Sequence, residues 1–255
     1  MKEREVEISV REGTSEGFLY CPEGDGRRPG ILYLTDIGGI RAANREAAGR
    51  LANKGYAVLM PNVFYRTGRT PLQPSLRSLS PEAAKVRLAE LSQPLMPEAM
   101  EEDAAAYIGF LASQDCVRPG AMGVVGYCFT GKMALYTAAA LPDKIAAAAS
   151  FHGGGLFTDA PTSPHLTLPR IQARLYFGHA TNDRSMPEEA IAKLDRALEA
   201  WGGKYESEVY QDAYHSWTSS DSPVFNAPQA ERAFQKLTEL FSETLSKRDG
   251  RAEVA

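Results

Sequence analysis

Apolar and polar positions along the chain follow two periods, one typical of strands and one typical of helices. Residues 5–10, EVEISV, alternate, and GFLYCPEG follows after a glycine-containing turn, which predicts an N-terminal antiparallel hairpin. The continuous apolar runs in PGILYLTD and YAVLMPN are typical of strands buried on both faces of a sheet. Between these runs, residues 42–54 have helical apolar spacing, and Gly55 follows where a C-cap is expected.

The same alternation continues to the C-terminus. The pattern predicts a helix over PEAMEEDAAAYIGFLASQ, then strand 121–127, helix 129–140, strand 145–151, strand 174–178, helix 187–201, strand 205–210 and helix 227–245. Strands that alternate with helices predict right-handed crossovers and a mostly parallel sheet with helices on both faces. No linker or repeat interrupts the series, so we expect one α/β domain over residues 1–255, with a frayed tail, SKRDGRAEVA.

The segment from residue 63 to residue 97 breaks this pattern. It is rich in proline, serine and arginine. A structureless loop of this length inside a compact domain would be unusual, so we expect short helices that cover part of the domain.

Composition and charge narrow the classes of function. The 28 basic and 32 acidic side chains give a net charge of −4, which does not favour nucleic acid or an anionic membrane as a partner. The N-terminus lacks the apolar region of a secretory signal, and the longest small-apolar stretch, IAAAASF, is too short to span a bilayer. The three cysteines form no CxxC pair, and the four histidines show no HExxH spacing. We therefore expect a reduced, cytoplasmic protein without a metal or cofactor.

Cys128, in GVVGYCFTG, lies where a predicted strand turns into a predicted helix. A nucleophile in such a turn has a strained backbone and needs small neighbours, as Gly126 provides. The dipole of the following helix favours a thiolate, and the N–H of Phe129 would face a developing oxyanion. The alternative is a buried, inert structural thiol.

Other polar residues also follow predicted strands. In an open parallel sheet, function gathers at the carboxyl ends of the strands. His215 is the natural base for Cys128, and Asp183 would orient its imidazole. The alternatives for the base and the acid are His152, His179, Asp212 and Asp159. The order nucleophile, acid, histidine favours a hydrolytic site.

Four stretches, ILYLTDIGGIR, VVGYCFTG, GHATNDRSMP and YQDAYHSWTSSDSPVFN, resemble the dienelactone hydrolase family of the α/β-hydrolase superfamily, in register over residues 6–245. The resemblance implies an α/β-hydrolase fold and a Cys128–His215–Asp183 triad. It also implies an oxyanion hole formed by the backbone N–H groups of Ile37 and Phe129. An acid, usually glutamate, stands in the family where this chain has Asp36, and it is thought to hold the resting thiol neutral. The alternative for Asp36 is a solvated carboxylate or a helix cap.

The chain departs from the family pattern at two positions. Thr130 replaces the first glycine of the usual Gly-Tyr-Cys-x-Gly-Gly, and this branched side chain is expected to crowd the turn. Ser219 stands where dienelactone-specific members carry a substrate-binding arginine, which makes dienelactone itself doubtful as the substrate. Arginines of the 63–97 segment could bind a substrate carboxylate instead, namely Arg66, Arg69, Arg77 and Arg87. The expected substrate-binding residues are Tyr65, Arg66, Tyr127, His152 and Trp217.

The working hypothesis is a cofactor-free hydrolase of small esters or lactones that forms a thioester on Cys128. Two alternatives remain at this point. One is a non-catalytic protein that binds a small ligand on the same fold. The other is a redox-responsive protein in which Cys21 or Cys116 approaches Cys128. The expected partner is a small-molecule ester or lactone, and a homodimer is left open.

Overall fold

The computed structural model describes residues 1–246, and the predicted frayed tail lies outside this range from residue 247 onward. The predicted N-terminal hairpin is confirmed: strand β1 (Lys2–Val10) pairs antiparallel with β2 (Gly13–Cys21). The remaining strands are β3 (Gly30–Leu34), β4 (Ala57–Pro61), β5 (Met122–Tyr127), β6 (Ile145–Phe151), β7 (Arg174–Ala180) and β8 (Tyr205–Tyr210).

The eight strands form one sheet in the order β1-β2-β4-β3-β5-β6-β7-β8. The six strands from β4 to β8 in that order are parallel to one another. Strand β2 is antiparallel to both of its neighbours, β1 and β4. The helices are α1 (Ala42–Asn53), α2 (Pro81–Ser92), α3 (Pro97–Ala112), α4 (Gly131–Ala140), α5 (Glu188–Trp201) and α6 (Ala227–Leu245). This architecture confirms the α/β class that the hydrophobic pattern predicts.

The core consists of two layers, one on each face of the sheet. Successive residues of β3 point to opposite faces. Leu32 belongs to the core layer that includes residues of α3, α4 and α5, whereas Tyr33 belongs to the layer that includes residues of α1 and α6. Each central strand is therefore buried on both sides, which explains its continuous apolar sequence. The parallel strands also bring the ends of β3, β5, β6, β7 and β8 to one edge of the sheet.

The segment over residues 63–97 contains the short helices that its length predicts. A 3₁₀ turn spans Leu76–Ser78, and α2 follows it. Leu72 lies against Gly39, where an added Cβ would stand 2.7 Å from its side chain, and the Phe64 ring lies 6.4 Å from the Phe129 ring. The segment therefore packs beside the loops that follow β3 and β5.

The expectation that all three cysteines are reduced is contradicted. Cys21, at the end of β2, and Cys116, just after α3, form a disulfide with a Cα–Cα distance of 6.1 Å. Their 95-residue separation in sequence gave no sign of this pairing, which depends on α3 returning the chain to the edge of β2. Cys128 is the free thiol. No helix within residues 1–246 has the length and apolar character needed to cross a membrane.

Candidate active site

Cys128 lies in a sharp turn between β5 and α4. Its φ is +57°, in the left-handed region that residues other than glycine rarely adopt. The turn brings the chain back so closely that a Cβ on Gly126 would stand 2.1 Å from the carbonyl oxygen of Thr130. The turn therefore requires glycine at position 126, as the strand-to-helix pattern predicts.

Thr130 stabilises this turn rather than crowding it. Its hydroxyl accepts a hydrogen bond from the Tyr127 N–H at 2.9 Å. The hydroxyl proton faces two carbonyl oxygens, those of Leu34 and Tyr127, each at 3.0 Å. The side chain thus ties the turn after β5 to the end of β3. The departure from the family's glycine is accommodated because the hydroxyl is fully satisfied although it is buried.

Cys128, His215 and Asp183 form one hydrogen-bonded series. The Sγ atom of Cys128 lies 3.0 Å from Nε2 of His215, and Nδ1 of His215 lies 2.6 Å from Oδ2 of Asp183. Asp183 follows β7 and His215 follows β8, so the parallel sheet brings together side chains 87 and 32 residues apart. One alternative for the base, His179, pairs instead with Ser207 in the buried part of the sheet. The other, His152, lies beside Cys128, but its ring nitrogens bind the Cys128 N–H and the Thr218 hydroxyl.

Ser185 holds the second oxygen of Asp183. Its N–H and hydroxyl both donate to Oδ1, at 2.8 and 2.7 Å. Burial raises the pKa of Asp183, but the hydrogen bond and positive charge of His215, together with the bonds from Ser185, outweigh it and lower the pKa. Asp183 is therefore an ionised carboxylate that accepts from the imidazole.

The environment of His215 favours its protonated form. Burial lowers the pKa of His215, but the hydrogen bonds to Asp183 and Cys128 and the charges of those two groups raise it to about 10. The imidazole therefore has a carboxylate on one nitrogen and a sulfur on the other. This arrangement can move a proton along the Sγ–Nε2 line while Asp183 stabilises the imidazolium.

Asp36 is not brought to the thiol. Its two oxygens accept from the two terminal nitrogens of Arg41, at 2.8 and 2.7 Å, and Oδ1 also accepts from the Gly38 N–H at 2.8 Å. The expected contact between Asp36 and Cys128 is absent from the hydrogen bonds of residues 1–246. A bidentate guanidinium pair is a stronger partner for a carboxylate than a thiol is.

Arg41 also reaches the loop that carries His215. Its Nε donates to Asp221 at 2.6 Å, and Nη2 donates to the hydroxyl of Ser219 at 2.9 Å. The position where the family's arginine would stand is therefore in contact with an arginine from another element. This guanidinium is shared between two carboxylates, those of Asp36 and Asp221.

The expected oxyanion donors, Ile37 and Phe129, follow the neighbouring strands β3 and β5. Leu34 pairs with Gly126 in the β3–β5 register, and each donor comes three residues later. Their role as donors to an oxyanion stays a prediction.

Two expected substrate-binding residues are part of the core. Trp217 is fully buried and stacks on Tyr210 at 4.9 Å. His152 is 1% exposed, and both of its ring nitrogens have protein partners, the Cys128 N–H and the Thr218 hydroxyl. Their burial does not fit a role as exposed walls of a substrate pocket.

Arg66 and Tyr65, expected to bind substrate, instead bind a buried acid. Arg66 donates to Asp103 of α3 at 2.6 and 3.1 Å and also pairs with Glu12. The Tyr65 hydroxyl donates to the same Asp103 at 3.0 Å. These side chains hold the segment over residues 63–97 to the body of the domain.

Two further arginines of that segment have acidic partners as well. Arg87 pairs with Glu90 at 2.9 Å, and Arg69 lies 3.9 Å from Glu7 on the surface. The side chain of Arg77 lies outside the described part of the structure.

Tyr127 lines a cavity, as expected for a residue beside the nucleophile. Its ring stacks on Phe151 at 5.7 Å and borders a cavity of about 220 Å³. Asp36 and Thr218 line the same cavity, whereas Cys128 and His215 do not. The cavity therefore adjoins the hydrogen-bonded series without containing it. Within residues 1–246, no cluster of three or more histidine, cysteine or acidic side chains is arranged to hold a metal ion.

Three contributors to the site were not identified from the sequence: Arg41, Ser185 and Thr218. A local signal existed for Ser185, because a serine two residues after an aspartate commonly donates back to its carboxylate. Arg41 lies only five residues after Asp36, but its contact with Ser219 spans 178 residues of sequence. No local signal exists for Thr218, whose partner His152 lies 66 residues away.

Comparisons with known proteins place this chain in a family. The sequence profile of the dienelactone hydrolase family matches residues 15–245. A carboxymethylenebutenolidase of Rhodococcus opacus is 28% identical over 249 residues, which cover 94% of this chain and 92% of that protein.

Solved structures show the same fold. A Klebsiella pneumoniae protein assigned as a dienelactone hydrolase superimposes with a TM-score of 0.84 at 19% identity, over 95% of this chain and 98% of that one. The acylaminoacyl peptidase of Pyrococcus horikoshii, with a TM-score of 0.70 at 15% identity, covers 94% of this chain with 41% of its own. The fold is thus the α/β-hydrolase fold, and the profile match over most of the sequence shows that this chain is a hydrolase that belongs to the dienelactone hydrolase family.

Proposed function

We propose that this protein hydrolyses small esters or lactones, with Cys128 as nucleophile, His215 as general base and acid, and Asp183 as the group that orients His215. The observation that carries the proposal is the hydrogen-bonded series from Sγ through the imidazole to the carboxylate, with distances of 3.0 and 2.6 Å. A nucleophile, a base and an orienting group in hydrogen-bond contact are the signature of covalent acyl transfer.

The first half of the reaction forms a thioester. His215 takes the thiol proton, and the Cys128 sulfur bonds to the acyl carbon while the carbonyl π electrons move onto oxygen. The N–H groups of Ile37 and Phe129 are proposed to donate to that oxyanion. When the intermediate collapses, the bond from carbon to the leaving oxygen breaks, and His215 Nε2 gives its proton to that oxygen.

The second half releases the acid. His215 removes a proton from water as the water oxygen bonds to the thioester carbon, and the carbon–sulfur bond then breaks. The proton on His215 stays shared with the restored sulfur. Because a pKa of about 10 makes the His215 imidazolium a weak acid, we expect enol and phenol esters, which leave with little help from an acid, to react faster than alkyl esters.

The test is turnover of p-nitrophenyl acetate and of a cyclic enol lactone by the protein and by its Cys128→Ala variant. We expect sustained turnover that the substitution abolishes, with an acetyl group trapped on Cys128 by rapid acid quenching. Ser222→Ala, a change in the same loop region as His215 but outside the series, is the matched control and should retain turnover. Turnover that survives Cys128→Ala would contradict the proposal. A burst that ends after one equivalent would favour a protein that binds an acyl group without hydrolysing it.

The free thiol is proposed to act in acyl transfer rather than as a redox sensor. Cys21 and Cys116, the two thiols that could have resolved an oxidised Cys128, are joined to each other. A disulfide is more usual in an oxidising compartment than in the cytoplasm. Thiol titration of the unfolded protein should find one free thiol without reductant and three with it. Three without reductant would contradict the disulfide.

A further inference from the structure

His152 is buried at the end of β6, beside the nucleophile and outside the proposed proton-transfer series. It is 1% exposed and its φ is +40°, a second strained residue at this edge of the sheet. The backbone N–H of Cys128 donates to Nδ1 of His152 at 3.1 Å, so Nδ1 carries no proton. In the neutral imidazole the proton is then on Nε2, which donates to the Thr218 hydroxyl at 2.8 Å.

The two partners of His152 lie on the two segments that meet at the site, the turn of Cys128 and the loop that carries His215. Cys128 supplies the proposed nucleophile, and Thr218 lies three residues after His215 in the same loop. The His152 ring also packs edge-on against the rings of His215 and Trp217, at 5.2 and 5.0 Å between centroids. A single rigid imidazole therefore spans the distance between the strained turn of Cys128 and the loop that carries His215.

We propose that His152 is a positioning residue that holds the Cys128 turn and the His215 loop at the separation needed for the Sγ–Nε2 hydrogen bond, and that it acts only as the neutral imidazole. This inference rests on the proposed function, because it assigns His152 a role toward the proposed nucleophile and base. It differs from the expected role in substrate binding, which the burial of the ring contradicts.

The neutral form is required by the hydrogen bonds. A proton on Nδ1 would point at the N–H of Cys128, and two donors would then face each other in a buried site. The titratable groups that face the ring are Tyr127 from the end of β5, Cys128 from the turn after it, Asp183 from the loop after β7, and His215 from the loop after β8. Burial lowers the pKa of His152, as does the charge of His215, while Asp183 opposes this effect without cancelling it.

The test compares His152→Asn with His152→Leu. The amide oxygen of asparagine can take the place of Nδ1 as acceptor for the Cys128 N–H, whereas leucine has a similar size and no acceptor. Two quantities are measured: the rate of Cys128 alkylation by iodoacetamide, and kcat and KM for p-nitrophenyl acetate. For leucine we expect kcat and the alkylation rate to fall about a hundredfold, with KM little changed, since small displacements of reacting groups have effects of this size.

Rescue by asparagine distinguishes positioning from packing. We expect His152→Asn to recover most of both rates. Equal losses in the two variants would overturn the proposal, and so would wild-type rates in both. If the leucine variant does not fold, His152→Gln replaces it, because the longer amide reaches toward Thr218 instead of the Cys128 N–H and should not rescue. Alkylation requires no ester hydrolysis, so it tests the position of Cys128 even if the proposed function fails.

Discussion

The edge of the sheet that carries Cys128 and the segment over residues 63–97 both hold dense polar side chains, but they use them differently. At the sheet edge, the series Asp183–His215–Cys128 ends in the sulfur atom of the proposed nucleophile. In the segment, Arg66 lies between the carboxylates of Asp103 and Glu12. The open-ended series of Asp183, His215 and Cys128 suits the proposed acyl transfer. The closed set of ion pairs around Arg66 holds the segment over residues 63–97 in place.

The difference also appears in the charged states of the two acids. Asp183 has its pKa lowered despite burial, because the imidazole and Ser185 bind its ionised form. Burial raises the pKa of Asp103, and the hydrogen bonds from Arg66 and Tyr65 only partly oppose this effect. Asp103 therefore depends on Arg66 for its charge, whereas Asp183 stabilises a charge that moves during the proposed reaction.

The largest expected effect follows from breaking the open series. In Asp183→Asn the amide cannot hold His215 in the proton-accepting tautomer, so we expect kcat for p-nitrophenyl acetate to fall by roughly 10³–10⁴, as for the equivalent change in serine proteases. Asp195→Asn is the control, since Asp195 lies in α5 and accepts a hydrogen bond from Ser207 of β8, outside the series. A loss of less than about tenfold in Asp183→Asn would show that Asp183 does not orient the base.

Breaking the closed set should affect stability instead of activity. Arg66→Met leaves the Asp103 carboxylate, whose side chain is 0% exposed, without its guanidinium. We expect the free energy of unfolding in urea to fall by about 3 kcal/mol, while KM for neutral and anionic esters changes little. Arg69→Met is the matched control, because Arg69 is exposed and only 3.9 Å from Glu7. A higher KM confined to anionic esters would instead place Arg66 in contact with substrate.

Asp36 combines features of both regions, because it was expected to act on the thiol but forms an ion pair with Arg41. If Arg41 is its true partner, Asp36→Asn should lower the free energy of unfolding by about 1.5–3 kcal/mol, the range for a hydrogen bond to a charged group. The pH dependence of Cys128 alkylation should stay that of the unsubstituted protein. Stopped-flow alkylation between pH 5 and pH 10 measures this, with Asp25→Asn as an exposed control. A shift of the alkylation midpoint would support the family's thiol-neutralising role for Asp36.

The smallest expected effect is a pH dependence of stability that comes from His152. The pKa of His152 in the folded protein is lowered below 6.5. As the pH falls below that value, the imidazole therefore binds a proton in the unfolded chain but not in the folded protein. This stabilising contribution is complete above about pH 6.5 and is lost as the pH falls below it. We expect urea unfolding to show a smaller decline between pH 7 and pH 5 in His152→Asn than in the unsubstituted protein.

His179, whose pKa is lowered to about 4, contributes a decline of the same sign. It is present in both proteins, so the difference between them isolates His152. Equal slopes would show that His152 is not held neutral by the fold.

Much of the fold was predictable from local pattern. The hairpin, the buried strands and the helices follow from period-two and period-3.6 spacing, which the backbone hydrogen bonds of strands and helices impose on neighbouring residues. The turn at Cys128 was also predictable, since Gly126 and the strand-to-helix change are local features. The order of Cys128, Asp183 and His215 indicated strand-end residues that a parallel sheet brings to one edge.

The partners of the polar side chains were decided only by the tertiary structure. Asp36 was expected at the thiol and pairs with Arg41, and His152 was expected at the substrate and holds the Cys128 N–H. Cys21 and Cys116 were expected to be reduced and form a disulfide.

The physical reason is the short range of these interactions. A hydrogen bond or ion pair needs its atoms within about 3 Å, and the fold selects which of many similar side chains come that close. By itself the sequence determined where strands, helices and the strained turn form. The partners of its acids, arginines and histidines depended on which side chains the fold brings within reach, whether five residues away, as Arg41 is from Asp36, or 87 residues away, as His215 is from Cys128.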